Sequence, residues 1–550
     1  MANTTSTTIP APWSWRPSSY WDGNDGSWNT FIIEVGTPQQ PFRVLPSTAG
    51  QVTWVLNAAG CTANDPANCT YTRGALGDST GYDTNTSSSW VPNGIFTLTA
   101  QETVLGYTGN GLYGFDDVGL NSGNDSQALL LKHQVIAGIA DKSYYLGQFG
   151  LGHKSINFTT FTNPLDSYMT NLVGKDMIPS SSFGYTAGAA YKDKAPASLT
   201  LGGYDSSRFT PSNVSFAMNG DDSRPLQVGV QKISAQNTLV GTAELLPSTT
   251  YHFIDSTVPH IWLPDDAIAA FTLAFGLNYD NATDLFLVND TVRGELLRLQ
   301  PSVTFALATD AGNSSAVTQT ISLPYAAFDL QASYPFYDTP TNYFPIRRAV
   351  NDTQYTIGRT LLQAAYLTVD WERQNFTVAQ TTFDTLDSPR LVPILSIEDA
   401  ATRNATSTKR AQTGSGLSGG AIAGIAVGAI VLLAVIAAAV FFGLRRRRRQ
   451  DQRPVAASND QQHYDDEAKM TLSGNATELH SDSPASELHA NHTRDAVEVH
   501  GTSAWSGPYA KEKQDFVGHY GSSTQNAANR GVSPVEAPGS EGRRYELRES

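Results

Sequence analysis

Two short turns carry the residues best placed for chemistry. In one, Asp255-Ser256-Thr257 sets a carboxylate beside hydroxyls, between apolar runs at 251–254 and 261–263. In the other, Ser47-Thr48-Ala49-Gly50 separates 42–45 from 52–56. Two buried carboxylates about 3 Å apart share one proton, and their coupling makes one an acid and the other a base. Only one of these turns holds a carboxylate. A lone carboxylate can bind a ligand, or it can accept backbone hydrogen bonds and hold its own turn; both roles stay open for Asp255. Ser47 can hold a water, but a hydroxyl's pKa is too high for proton exchange in acid.

Other catalytic patterns lack their context. Residues 77–81 and 416–420 match Gly-x-Ser-x-Gly, yet neither joins a strand to a helix as a nucleophile elbow must. Gly109, Gly111 and Gly114 match a dinucleotide-loop pattern with no helix to follow. His133, His153, His252 and His260 form no His-Glu-x-x-His motif, so neither metal nor cofactor is expected. His260 reads as a surface or core histidine.

The surroundings of the two turns are alike. Each reads strand, hydroxyl-bearing turn, strand ending in Trp-apolar, at Trp54 and Trp262. Two distant copies of one hairpin predict an all-β, bilobal fold with a cleft between pseudo-symmetric halves. More landmarks follow in order. Residues 94–107 read as strand leading into a Gly-rich hairpin at 107–114, and 147–152 read Gly-Gln-Phe-Gly-Leu-Gly. Residues 197–207 read Ala-Ser-Leu-Thr-Leu-Gly-Gly-Tyr-Asp-Ser-Ser, 355–358 read Tyr-Thr-Ile-Gly, and a hairpin closes over 366–380.

In these motifs, over about 28–382, the chain resembles the pepsin-like aspartic peptidases (peptidase A1). The resemblance implies an N-terminal extension at 1–27, an N-terminal lobe at 28–205 and a C-terminal lobe at 206–382. Asp255 corresponds to the second catalytic Asp, and Ser47 occupies the place of the first. Thr48 and Ser256 correspond to the hydroxyls that brace the two loops, and Tyr107 to the flap tyrosine, with Trp54 as its neighbour. Ala49 and Thr257 replace turn glycines, so a Cβ at each is expected to disturb the geometry. Pro46 is expected to remodel its strand end. Asp255 is thereby left without a carboxylate partner, and peptidase activity is expected to be lost.

Composition places the chain at a membrane. Residues 421–444 are free of charge, and Arg445 to Arg449 follow at once. Those 24 residues rise about 1.5 Å each, enough to cross a hydrocarbon core of about 30 Å. The arginines put the C-terminal side in the cytoplasm. The expectation is a type I plasma-membrane or secretory-pathway protein with a flexible stalk at 383–420 and a disordered cytoplasmic tail at 445–550. Residues 1–30 contain no apolar signal core, so a leader upstream of Met1, or one already removed, is expected.

Twelve Asn-x-Ser/Thr triplets precede the span, among them Asn68, Asn157, Asn213, Asn281, Asn351 and Asn375, and they predict glycosylation. Cys61 and Cys69 read as one local disulfide, with free thiols as the alternative. Up to residue 420 the chain carries 22 Lys/Arg against 35 Asp/Glu, a balance of −13 that argues against nucleic acid. Gly420, Gly424 and Gly428 could pair two membrane helices into a homodimer. The tail's Glu-Leu-His repeats at 478–480 and 487–489 suit cytoplasmic partners or are low-complexity drift.

Together these features predict a membrane glycoprotein whose inactive peptidase-like ectodomain serves as receptor, sensor or scaffold, its cleft open to a peptide or wall component. The rivals are an atypical membrane-anchored aspartic endopeptidase and a purely structural surface glycoprotein.

Overall fold

The computed structural model describes residues 9–98, 102–121, 129–159, 162–384 and 388–403. The candidate span 421–444, the arginines beyond it, Gly420, Gly424, Gly428 and the tail repeats lie outside the described residues. Among the described residues no helix is long and apolar enough to cross a membrane.

Two-residue periodicity builds the first sheet: in Phe31–Val35, positions 31, 33 and 35 are buried and 32 and 34 half-buried. Its seven strands run in the order Phe31–Val35, Gln40–Ser47, Gly147–Gly150, Thr53–Leu56, Leu129–Ile139, Asn110–Asn121 and Val91–Thr97. Gly147–Gly150 is inserted between the two arms of the first turn, parallel to Gln40–Ser47 and antiparallel to Thr53–Leu56. A second sheet, of eight strands, repeats the device. There Thr356–Ile357 lies parallel to Thr250–Ile254 and antiparallel to Ile261–Leu263. Both inserted segments need glycine for room. A Cβ on Gly150 would sit 2.6 Å from the carbonyl carbon of Gln51, and one on Gly358 2.4 Å from the oxygen of Val258.

A six-stranded sheet ties the halves together, in the order Trp13–Trp15, Ser198–Leu201, Ser182–Thr186, Ala365–Asp370, Asn375–Gln380 and Phe216–Ala217. The architecture is mostly β and bilobal, with one apolar core running through both halves.

Four details differ from expectation. The stretch set apart as 1–27 is woven into the fold: Trp13–Trp15 pairs with Ser198–Leu201, and Trp15 packs its buried ring 5.0 Å from both Phe31 and Phe149. The stalk does not begin at 383, because Leu391–Pro393 pairs with Gly203–Asp205. Pro46 stays inside its strand, opposite Phe149; pairing with Phe31–Val35 has ended by then, so a missing donor is tolerated. Residues 94–107 are not one strand: a single 3₁₀ turn, Glu102–Leu105, interrupts the approach to the hairpin.

Candidate active-site cleft

The two turns meet at the centre of the molecule, with Ser47, Thr48, Asp255 and Ser256 all buried. Each donates to the other. The backbone N–H of Thr48 bonds Ser256 Oγ at 2.9 Å, and that of Ser256 bonds Thr48 Oγ1 at 3.0 Å. Ser256 Oγ then donates to the carbonyl of Pro46 at 2.7 Å. The added Cβ atoms of Ala49 and Thr257 therefore leave the brace intact; Ala49 is absorbed into the apolar core.

What lies on this brace is unlike in the two halves. Ser47 Oγ accepts from the N–H of Gly50 at 2.8 Å and shares a 2.7 Å hydrogen bond with Thr257 Oγ1. Thr257 in turn donates its N–H to Asp255 Oδ1 at 2.8 Å, and its side chain also bonds that carboxylate. A chain of hydroxyls thus links Ser47 to Asp255. Arg359, buried in the short helix Arg359–Leu362, donates to the carbonyls of Ser256 (2.9 Å) and Thr257 (2.6 Å) while its guanidinium lies over the Trp28 ring. No motif in the sequence marked Arg359 for this role.

The structure also corrects the expectation that Asp255 has no carboxylate partner. Glu102, from the 3₁₀ turn of the N-terminal half, brings a buried carboxyl close enough to Asp255 to act on its titration. Both Glu102 carboxyl oxygens are closed off from solvent. Burial pushes the Asp255 carboxyl above the usual carboxylate range, while the bonds from Thr257, the Arg359 guanidinium and Glu102 pull it down. One sequence signal could have pointed here: Glu102 is the only acidic residue between Asp83 and Asp116.

Tyr107 leans over the same site, its hydroxyl 3.4 Å from His260 Nδ1. Tyr144 stands between it and Trp54, with ring centroids 5.7 Å and 5.3 Å away, so Trp54 is a neighbour at one remove. His260 is buried at the cleft rather than on the surface, and burial, then Arg347 and Arg359, hold its imidazole well below its ordinary pKa. The other histidines lie elsewhere: His252 bonds Thr250, His153 stacks on Trp371 and His133 on Phe115. Gly109, Gly111 and Gly114 belong to the hairpin around Asn110–Asn121. Cys61 and Cys69 form a disulfide with an S–S distance of 2.00 Å. Asn68, Asn157, Asn213, Asn281 and Asn351 are exposed, whereas Asn375 is half-buried at the start of its strand.

A bilobal β fold with two braced turns facing one cleft defines the architecture of the aspartic proteinases. The family model for eukaryotic aspartyl protease matches residues 30–381, and the chain belongs to that family. Among solved structures, the aspartic proteinase from Irpex lacteus is similar at 17% identity, with a TM-score of 0.44, over 68% of this chain and 99% of that one. No curated protein matches the chain.

Proposed function

We propose that this protein is a membrane-anchored member of the family that has given up proteolysis and uses its cleft to bind a peptide or wall component. The observation that carries this reading is the 2.7 Å contact between Ser47 and Thr257. Where the reaction needs a second carboxylate flanking a water, this cleft has two hydroxyls bonded to each other, neither able to exchange a proton in acid. The uncharged run 421–444 and the arginines after it support an anchor, and the long tail beyond supports a receptor, sensor or scaffold. The exposed sequons support an outward-facing glycoprotein.

One observation favours a second reading, an active endopeptidase: Glu102 supplies a carboxyl next to Asp255. The geometry argues against it. The turn that carries Glu102 packs Leu105 onto Val258, Trp262 and Ala349 of the C-terminal half, and the paired turns themselves set Ser47, not a carboxylate, opposite Asp255. The full-length protein in detergent, incubated with a diverse peptide library on an array, tests both readings. Retention of peptides without cleavage is the expected result. Retention of neither peptides nor glycans would remove the binding role.

A further inference from the structure

The turn over the cleft is docked by two anchors of different chemistry. In a 3₁₀ turn, residues three apart lie one above the other. Glu102 and Leu105 are so placed, 1% and 6% exposed, while Thr103 and Val104 between them face solvent. Leu105 packs with Val258, Trp262 and Ala349 of the opposite half, and Tyr355 closes on the same cluster. Gln354 Nε2 donates to the carbonyl of Val104, a main-chain contact that an incoming peptide could make equally well. Gly106 follows at φ +85°, in the left-handed region, with open space where a Cβ would stand.

We propose that Glu102–Leu105 is an internal ligand of the cleft, and that the external ligand is a peptide presenting a carboxylic acid three residues before a branched apolar side chain. This names the ligand class for the binding role proposed above and rests on it. A carboxyl–carboxyl hydrogen bond exists only while one partner keeps its proton, so uptake belongs to acid conditions. The groups facing the pair do not remove that requirement. Arg359 directs its donors to carbonyls and to Asp25, Arg224 donates to the carbonyl of Tyr355, and Arg347 pairs with Asp284. Tyr107 and Tyr144 are phenols that burial keeps neutral, and His260 is neutral for the same reason. Burial raises the Asp255 pKa, so the shared proton is held below the ordinary carboxylate value of 3.8 and is lost as pH rises through the raised value.

The test uses a synthetic peptide with the sequence of residues 99–107 and the full chain carrying Glu102→Ala and Leu105→Ala, which removes both side-chain anchors of the turn. The peptide should bind this variant at pH 4 at least about ten-fold more tightly than at pH 7, and about ten-fold more tightly than the same peptide with Gln in place of Glu. Equal binding of the Glu and Gln peptides would overturn the proposal, as would no binding at pH 4. Hydrogen exchange on the wild-type chain gives a second readout that needs no variant to fold. Amides of 103–107, corrected for intrinsic rate, should be better protected at pH 4 than at pH 7; equal protection would overturn the internal latch. Exchange does not depend on any outside ligand, so its failure is separable from failure of the binding role.

Discussion

The two turns at the centre of this molecule share a scaffold and differ in everything built on it. Each is flanked by an inserted glycine segment, and each gives one hydroxyl to the other's backbone. In the N-terminal half the carbonyls of Ser47 and Gly50 are met by the backbone N–H groups of Leu151 and Gly152. In the C-terminal half the backbone N–H groups of Arg359 and Thr360 meet the carbonyls of Val258 and Pro259. There the Arg359 side chain adds donors to those of Ser256 and Thr257, and the turn carries a carboxylate. The difference separates two layers of design. The brace needs only hydroxyls and survives loss of the glycines, whereas the dyad chemistry needs a carboxylate at the position Ser47 occupies, which is why we propose that it is lost.

The largest test of this contrast is Arg359→Ala. It leaves the carbonyls of Ser256 and Thr257 buried without their donor, and about 2–5 kcal/mol of stability should go. Chemical denaturation measures the loss, and a loss below about 0.5 kcal/mol would mean that Arg359 does not hold the turn. Next come Thr48→Ala and Ser256→Ala, each expected to cost about 1–3 kcal/mol. Because each residue's N–H bonds the other's hydroxyl, the double variant should cost less than the sum; strict additivity would break the picture of one shared brace.

The smallest effect is in pH. The raised pKa of Asp255 gives stability that is full below about 3.8 and declines as pH rises through the raised value. His252 works the other way, since burial holds its imidazole near about 3, so stability falls as pH drops below its ordinary 6.5. Comparing wild type with Asp255→Asn cancels the histidine. The wild type's Tm relative to the variant should be higher at pH 4 than at pH 7, and a constant difference would contradict the assignment.

The bilobal fold was legible because its marks are local. Paired hairpins, a Trp after each, and glycines where backbone meets backbone can all be read along the chain. The N-terminal strand was missed because Trp13 and Trp15 sit among prolines, and only a partner near residue 200 makes them a strand. Ser47, Thr48, Asp255 and Ser256 were found through their repeated context. Glu102 was missed for the opposite reason: it belongs to neither turn, and only tertiary docking carries it across to Asp255, about 150 residues away in sequence. The Cβ at Ala49 was expected to disturb the site because the sequence does not show that the core has room for it.

The central claim is that this cleft holds Asp255 without a catalytic partner. Cleavage of a diverse peptide library by the full-length protein, across roughly pH 3 to 6 where such dyads work, tests it most directly when wild type, Asp255→Asn and Glu102→Gln are run together. No cleavage by any of the three is the predicted result. Cleavage by the wild type that disappears in both variants would contradict it, and would make Glu102 the second carboxyl of a working pair.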